Sequence, residues 1–368
     1  MNTQIKSLLS LLMITALGFG FLQIYLPLEK YNYERLHIFL FNLCTGGTIL
    51  LHYTRGGREM SKTIGFFLGA SLVYAFSAFF NVYPVTLITS LILIVIVEKI
   101  RIEKFSFVPL LFFKSDRDVS EKFHMASLLC LSTGLGIAAL VIVNNEYIKV
   151  LTLNHLTLNT FFLGFSFPIS LVTLSAVFSM LTHIKTAYAV LIKEICFWTI
   201  NLGVIVFFIF ILMEKFVLQI FVTIALFAAV ALVFYLYIKF AHQIQQKLFL
   251  TSGIGFLMFT AVTGIAYIFI HMAPGYVPEK TKWLMHLHVF ASLYGWNLCG
   301  LAVICRAKDF PIQLHSRALI IIHWLTAVAL APVGIFYPVS AIAAVAGYSF
   351  ITITLFFSRN QTPETTEA

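Results

Sequence analysis

His286-Leu287-His288 is the place in this chain where residue type and spacing point most directly to chemistry. Two imidazoles, two residues apart, stand at the head of an apolar stretch that runs on to Gly295-Trp296. Successive helical residues are turned by about 100°, so positions i and i+2 lie roughly 200° apart, on opposite sides of a helix. Such a pair cannot chelate one ion from one face. It can offer one imidazole to each of two cofactors flanking the helix. Ionisable side chains inside a bilayer are costly and mark function. The bland alternative is a pair of polar residues snorkelling to the interface near Trp283.

The elements that must position this pair are legible in the composition. The 368 residues are 60% hydrophobic and 11% charged, with 38 Phe, and the mean hydropathy is +0.95. A soluble domain has no interior for so much apolar surface, so the expectation is an all-α, polytopic membrane protein. Apolar runs of roughly 20 residues recur between short polar breaks. They place spans near 7–27, 36–53, 63–80, 82–98, 123–143, 154–181, 188–213, 216–238, 250–271, 283–305, 318–336 and 339–357. The breaks at Asn81-Val82-Tyr83-Pro84 and Tyr337-Pro338 are the thinnest. The first span lacks a small-residue cleavage site and reads as a retained helix rather than a signal peptide. One transmembrane domain, 1–360, fills the chain, followed by a polar tail, 361–368, of disordered composition.

Charge orients these spans. With the N-terminus cytoplasmic, eighteen of the 24 Lys and Arg fall on the cytoplasmic side. The outer side holds six: Lys30, Arg35, Lys149, Lys215, Lys280 and Lys282. This is the bias of the positive-inside rule, and it leaves both termini cytoplasmic. The +9 net charge follows from the same bias and requires no nucleic-acid partner. Cys44, Cys130, Cys196, Cys299 and Cys305 lie within or at the ends of spans, with no C-x-x-C-H. That pattern excludes covalent c-type haem on this chain and shows no disulfide framework. The longest break, 99–122, carries the apolar piece Phe105–Phe113 between basic residues and reads as an interfacial segment.

The topology sorts the eleven histidines. His37, His155, His286 and His288 fall in the first turns of the second, sixth and tenth spans, all entering from the outer face. Each of those spans has a glycine nine residues beyond a histidine: Gly46 after His37, Gly164 after His155, Gly295 after His286. Nine residues is two and a half turns, so each glycine lies behind its histidine, where a small residue admits a neighbouring helix. The recurrence at every fourth span hints at a threefold pseudo-repeat. His52, His124, His183, His242 and His315 lie near cytoplasmic ends and read as interfacial. His271 borders an outer loop, and His323 is deeper in the eleventh span with no ligand set around it. Intramembrane carboxylates are nearly absent, which leaves no dense proton relay.

Arg35-Leu36-His37 through Gly46-Gly47, together with His286-Leu287-His288 and Leu293-Tyr294-Gly295-Trp296, resembles the second and tenth helices of subunit I of the haem–copper oxidase superfamily. The cbb-type oxidases and nitric oxide reductases are the nearest in pattern. The resemblance implies a bundle of about twelve helices in a bacterial inner membrane. It makes His37 and His288 the axial ligands of a low-spin haem b and His286 the ligand of a second, high-spin haem. It further implies electron transfer, or binding or reduction of a diatomic gas, fed by a cytochrome or other electron-donor subunit. The family also pairs its high-spin haem with a metal held by three histidines. His155 occupies the place of the first. The adjacent pair, counted from Phe197-Trp198, falls at Phe210-Ile211, and the seventh span has no histidine; Asn159 stands four residues after His155. One imidazole does not hold copper firmly, so copper is expected to be weak or absent, with His155 as a remnant of that site.

Two other classes stay open. One is a di-haem cytochrome b, with His37 and His288 on the outer side and His52 or His124 on the inner. His37 and His52 would stand about 22 Å apart along one helix. The other is a cofactor-free transporter or scaffold of the same ancestry, in which His37 and His288 find other polar partners.

Overall fold

Long apolar runs away from water leave the backbone one local way to satisfy its N–H and C=O groups, which is to close them into helices. The computed structural model describes residues 1, 3–26, 31–57, 59–114, 117–151, 156–242, 246–307 and 317–358. Among them it shows helices and no strand. The helices are α1 (Thr3–Tyr25), α2 (Tyr33–Arg55), α3 (Lys62–Phe79), α4 (Tyr83–Lys104), α5 (Val119–Ile148), α6 (156–179) and α7 (Ala187–Leu212). They continue with α8 (Phe216–Phe240), α9 (Gln246–Met272), α10 (Pro278–Cys305), α11 (Arg317–Val333) and α12 (Pro338–Phe357). Ten helices among the described residues are long and apolar enough to cross a membrane. His155, His315 and the tail 361–368 lie outside the described residues.

The helix ends follow local chemistry. The Asn32 side chain accepts from the Arg35 N–H at 2.8 Å and caps α2, and Gly56, at φ 67°, closes it in the left-handed conformation glycine tolerates. The two thinnest breaks are both turns: Asn81 has a left-handed φ of 60° before Pro84 in the first turn of α4, and Pro338 opens α12. One boundary differs from the sequence expectation. α10 begins at Pro278 rather than near 283, because Pro278 is preorganised for a first helical position and the polar 279–282 turn is helical as well. His286 and His288 therefore sit in the third turn of their helix rather than the first.

α2, α6 and α10 form the centre. Residues 48–55 of α2 and 167–179 of α6 both pack on 298–305 of α10, and Phe39–Gly47 packs on Phe162–Ser166. In the apolar window of α2, 94% of residues are buried, against 17% in α7; the first is enclosed on all sides and the second faces outward. The outward apolar faces of α7 and α8, with Leu202, Ile205, Phe221 and Ile224 exposed, are of the kind that lipid covers. α7 is tied inward by the Lys122–Glu194 ion pair at 2.6 Å and by Lys193, whose ammonium donates to the carbonyls of Leu181 and Ile184. After α4, Arg101 donates to the carbonyls of Ser106 and Phe107. This holds a loop that leaves Phe107 and Phe113 exposed, the form expected of an interfacial segment.

Candidate functional site

His37, in the second turn of α2, is buried against α1. Its Nδ1 lies 2.7 Å from the Ala16 carbonyl oxygen. A carbonyl only accepts, so Nδ1 carries the hydrogen and donates it. The Tyr294 hydroxyl, reaching across from α10, is 2.8 Å from Nδ1 and 3.3 Å from Nε2. The hydroxyl stands nearer Nδ1 than Nε2, so it lies against the ring and not along the Nε2 lone pair. Gly20, one turn beyond Ala16, makes room for the ring: a Cβ there would meet Nδ1 at 3.1 Å.

His288 is held in the same way by a different pair of helices. Its Nδ1 lies 2.9 Å from the carbonyl oxygen of Thr260 on α9, with the Thr263 hydroxyl at 3.4 Å. Gly264 is again one turn beyond the accepting carbonyl, and a Cβ there would meet Cε1 at 3.1 Å and Nδ1 at 3.3 Å. Each histidine thus rests on the helix that precedes its own, donating to the carbonyl of residue i and lying over a glycine at i+4. Among the described residues no hydrogen-bond partner meets Nε2 of His288. The glycine spacing in the sequence makes His286 the counterpart of His37; this shared seat makes it His288.

The two imidazoles of α10 diverge as their spacing requires. His288 faces α9. His286 stacks near Phe290, with ring centroids 6.3 Å apart, and Phe290 in turn near Tyr294 at 5.9 Å, one helical turn at a time along a single face. That face ends on the Tyr294–His37 bond. No hydrogen bond or ring contact among the described residues joins His37 directly to His286 or His288.

The three glycines that follow the histidines all fall inside π-helical segments: Gly46 in Phe39–Gly47, Gly164 in Phe162–Ser166 and Gly295 in Ala291–Asn297. Each also marks a close approach by a neighbour, as a small residue there should. A Cβ at Gly46 would stand 2.6 Å from Ile169 Cδ1, one at Gly164 2.9 Å from the Cα of Gly134, and one at Gly295 2.5 Å from the Phe256 ring. Widened π turns are frequent at functional sites, and here one serves a residue for which the sequence offered no surroundings. His323 of α11 is buried and donates from Nε2 to the carbonyl of Tyr294 at 2.6 Å. Ala16, Gly20, Thr260, Gly264 and Tyr294 carry no mark in the sequence, since their part in the site exists only through helix pairing.

Of the inner histidines, His124 has Nε2 2.8 Å from the Thr54 hydroxyl and stacks on Tyr53. Among the described residues no three metal-ligating side chains converge. The donor chemistry of His37 and His288 fits a haem: an Nδ1–H fixed on a carbonyl sets the tautomer and leaves Nε2 as the basic nitrogen, the arrangement that metal-bound imidazoles use. The thiols of Cys44, Cys196, Cys299 and Cys305 are buried and in no disulfide. Searches against protein-family models, curated proteins and solved structures gave no match to this chain.

Proposed function

We propose that this chain is a twelve-span membrane haem protein of the haem–copper oxidase type. Its termini would be cytoplasmic, in a bacterial inner membrane, and it would work in electron transfer or at a diatomic gas. The observation that supports the reading is the matched seating of His37 and His288. Two imidazoles on separate helices have Nδ1 committed to a main-chain carbonyl and a glycine under the ring, which leaves Nε2 as the nitrogen a ligand would present. His37 and His288 would hold a low-spin haem b through Nε2, with His286 available to a second. When bound, haem supplies a one-electron iron couple and, where a coordination position stays open, a place for a gas. The carbonyls of Ala16 and Thr260 orient the two rings and raise the basicity of Nε2. The Tyr294 hydroxyl lies 3.3 Å from Nε2 of His37, so ligation by His37 requires that hydroxyl to move aside.

The same Tyr294 bond favours a second reading, a cofactor-free scaffold or transporter. With Ala16 and Tyr294, the polar neighbours of the buried His37 ring are supplied by protein alone. An absorption spectrum of the purified protein, expressed with ample haem, separates the two. Sharp b-type bands, lost in His37→Ala and His288→Ala, are the expected result; a colourless wild type overturns the haem reading.

A further inference from the structure

Arg35 stands two residues before His37 and belongs to a different feature, a cavity of about 60 Å³ among α2, α3, α4, α5 and α6 near their outer ends. Phe39, Phe161, Val141 and Ile142 form apolar walls. Two donors in this lining have nothing to donate to. The Nε of Arg35 and the hydroxyl of Tyr74 are buried and have no hydrogen-bond partner among the described residues. Tyr74 is fully enclosed and fixed, its ring packed edge-on to Phe39 and near Phe165. The Arg35 guanidinium is held by Nη1 donating to the Ala78 carbonyl at 3.1 Å and lies 6.0 Å from the Phe161 ring centroid. Among the described residues no carboxylate is within ion-pairing distance of it. Glu146 also lines the cavity but is exposed.

A buried orphan donor is costly, and a desolvated cation costlier still. A guanidinium offers donors and no acceptor, so the missing partner must be an acceptor. The volume has room for a few waters or one small ion. We propose that this cavity is a binding site for a small monovalent anion, a halide or a planar oxyanion, received by Arg35 Nε–H and Tyr74 O–H. The permanent positive charge selects an anion over water, and the apolar walls exclude anything larger than a few atoms.

The test uses the full chain in detergent micelles at constant ionic strength, replacing gluconate, which is too large for the cavity, with chloride, bromide or formate. A ligand that binds the folded state alone stabilises it by RT ln(1 + [L]/Kd), so the unfolding temperature goes on rising with the logarithm of its concentration above Kd. The expected result is a rise of a few degrees, logarithmic in concentration, with each of the three small anions. It should vanish in Arg35→Gln, and Tyr74→Phe should weaken apparent affinity roughly tenfold, the loss of one hydrogen bond to a charged partner. An equal response in gluconate, or in Arg35→Gln, overturns the proposal and leaves a cavity that holds water only. Should either variant fail to fold, ³⁵Cl line broadening on the wild-type protein decides. Broadening relieved by formate supports the site, and broadening unaffected by formate or absent overturns it.

Discussion

The seats of His37 and His288 make sharp demands on single residues. In Gly264→Ala the new methyl stands 3.1 Å from the His288 ring, closer than carbon atoms pack, so the ring tilts off the Thr260 carbonyl. The expected cost is about 1–3 kcal/mol, the usual penalty of overpacking, read as a lowered unfolding midpoint, and a haem-loaded protein should lose low-spin signal as well. Tyr294→Phe discriminates between the two functional readings. It removes the hydroxyl that stands 3.3 Å from Nε2 of His37, so in a haem protein it leaves haem content unchanged or raised. In a cofactor-free protein it takes a polar partner from a buried imidazole, at about 1–3 kcal/mol, and no colour appears. At this scale the sequence was informative where chemistry is written in residue type and spacing. His286 and His288 do face different neighbours. It was silent on Ala16, Thr260 and Tyr294, because a carbonyl is common to every residue and only packing shows which one is used.

Among elements, the glycines divide into those that a neighbour fills and those it does not. A Cβ at Gly134 would come 2.3 Å from the Cα of Gly164, backbone against backbone, with no side chain able to yield. Gly134→Ala should therefore push α5 from α6 and cost about 1–3 kcal/mol or more. Gly69 of α3 has nothing within 4 Å of a built Cβ, and Gly69→Ala should be neutral or stabilising by up to about 1 kcal/mol through helix propensity. Thermal unfolding of the two variants side by side checks the contrast; equal effects would mean that α5 and α6 are not packed as closely as described. Apolar length was enough to place helices, since in a run of twenty apolar residues the backbone has no other local solution. The π-helical segments were not legible, because an i→i+5 bond leaves the residue pattern of one or two turns unchanged. The start of α10 was missed for a related reason: apolarity marks where a helix meets lipid, and Pro278 marks where the helix begins.

For the whole molecule, the distribution of Lys and Arg carries the argument about sides. Lys114→Cys and Lys149→Cys place thiols on segments that the charge bias assigns to opposite faces. In intact cells a membrane-impermeant maleimide should label the Lys149→Cys variant and leave the Lys114→Cys variant unlabelled. The background is low, since four of the five native cysteines are buried and Cys130 is half-buried. The reverse labelling pattern would invert the topology and move His37, His286 and His288 to the cytoplasmic side. Hydropathy and charge speak to the chain as a whole because the bilayer acts on every span, and the labelling decides the sides.

Tyr294 is the meeting point of four helices. Its hydroxyl is bonded to His37 of α2, its carbonyl to His323 of α11, its ring lies edge-on to Tyr348 of α12 at 4.8 Å, and its own backbone belongs to the π-helical part of α10. A knot of this kind behaves as a lever. A displacement of the hydroxyl from His37 would load the peptide that holds His323 and the ring that abuts α12, a route from one imidazole to two neighbouring helices that bypasses the connecting loops.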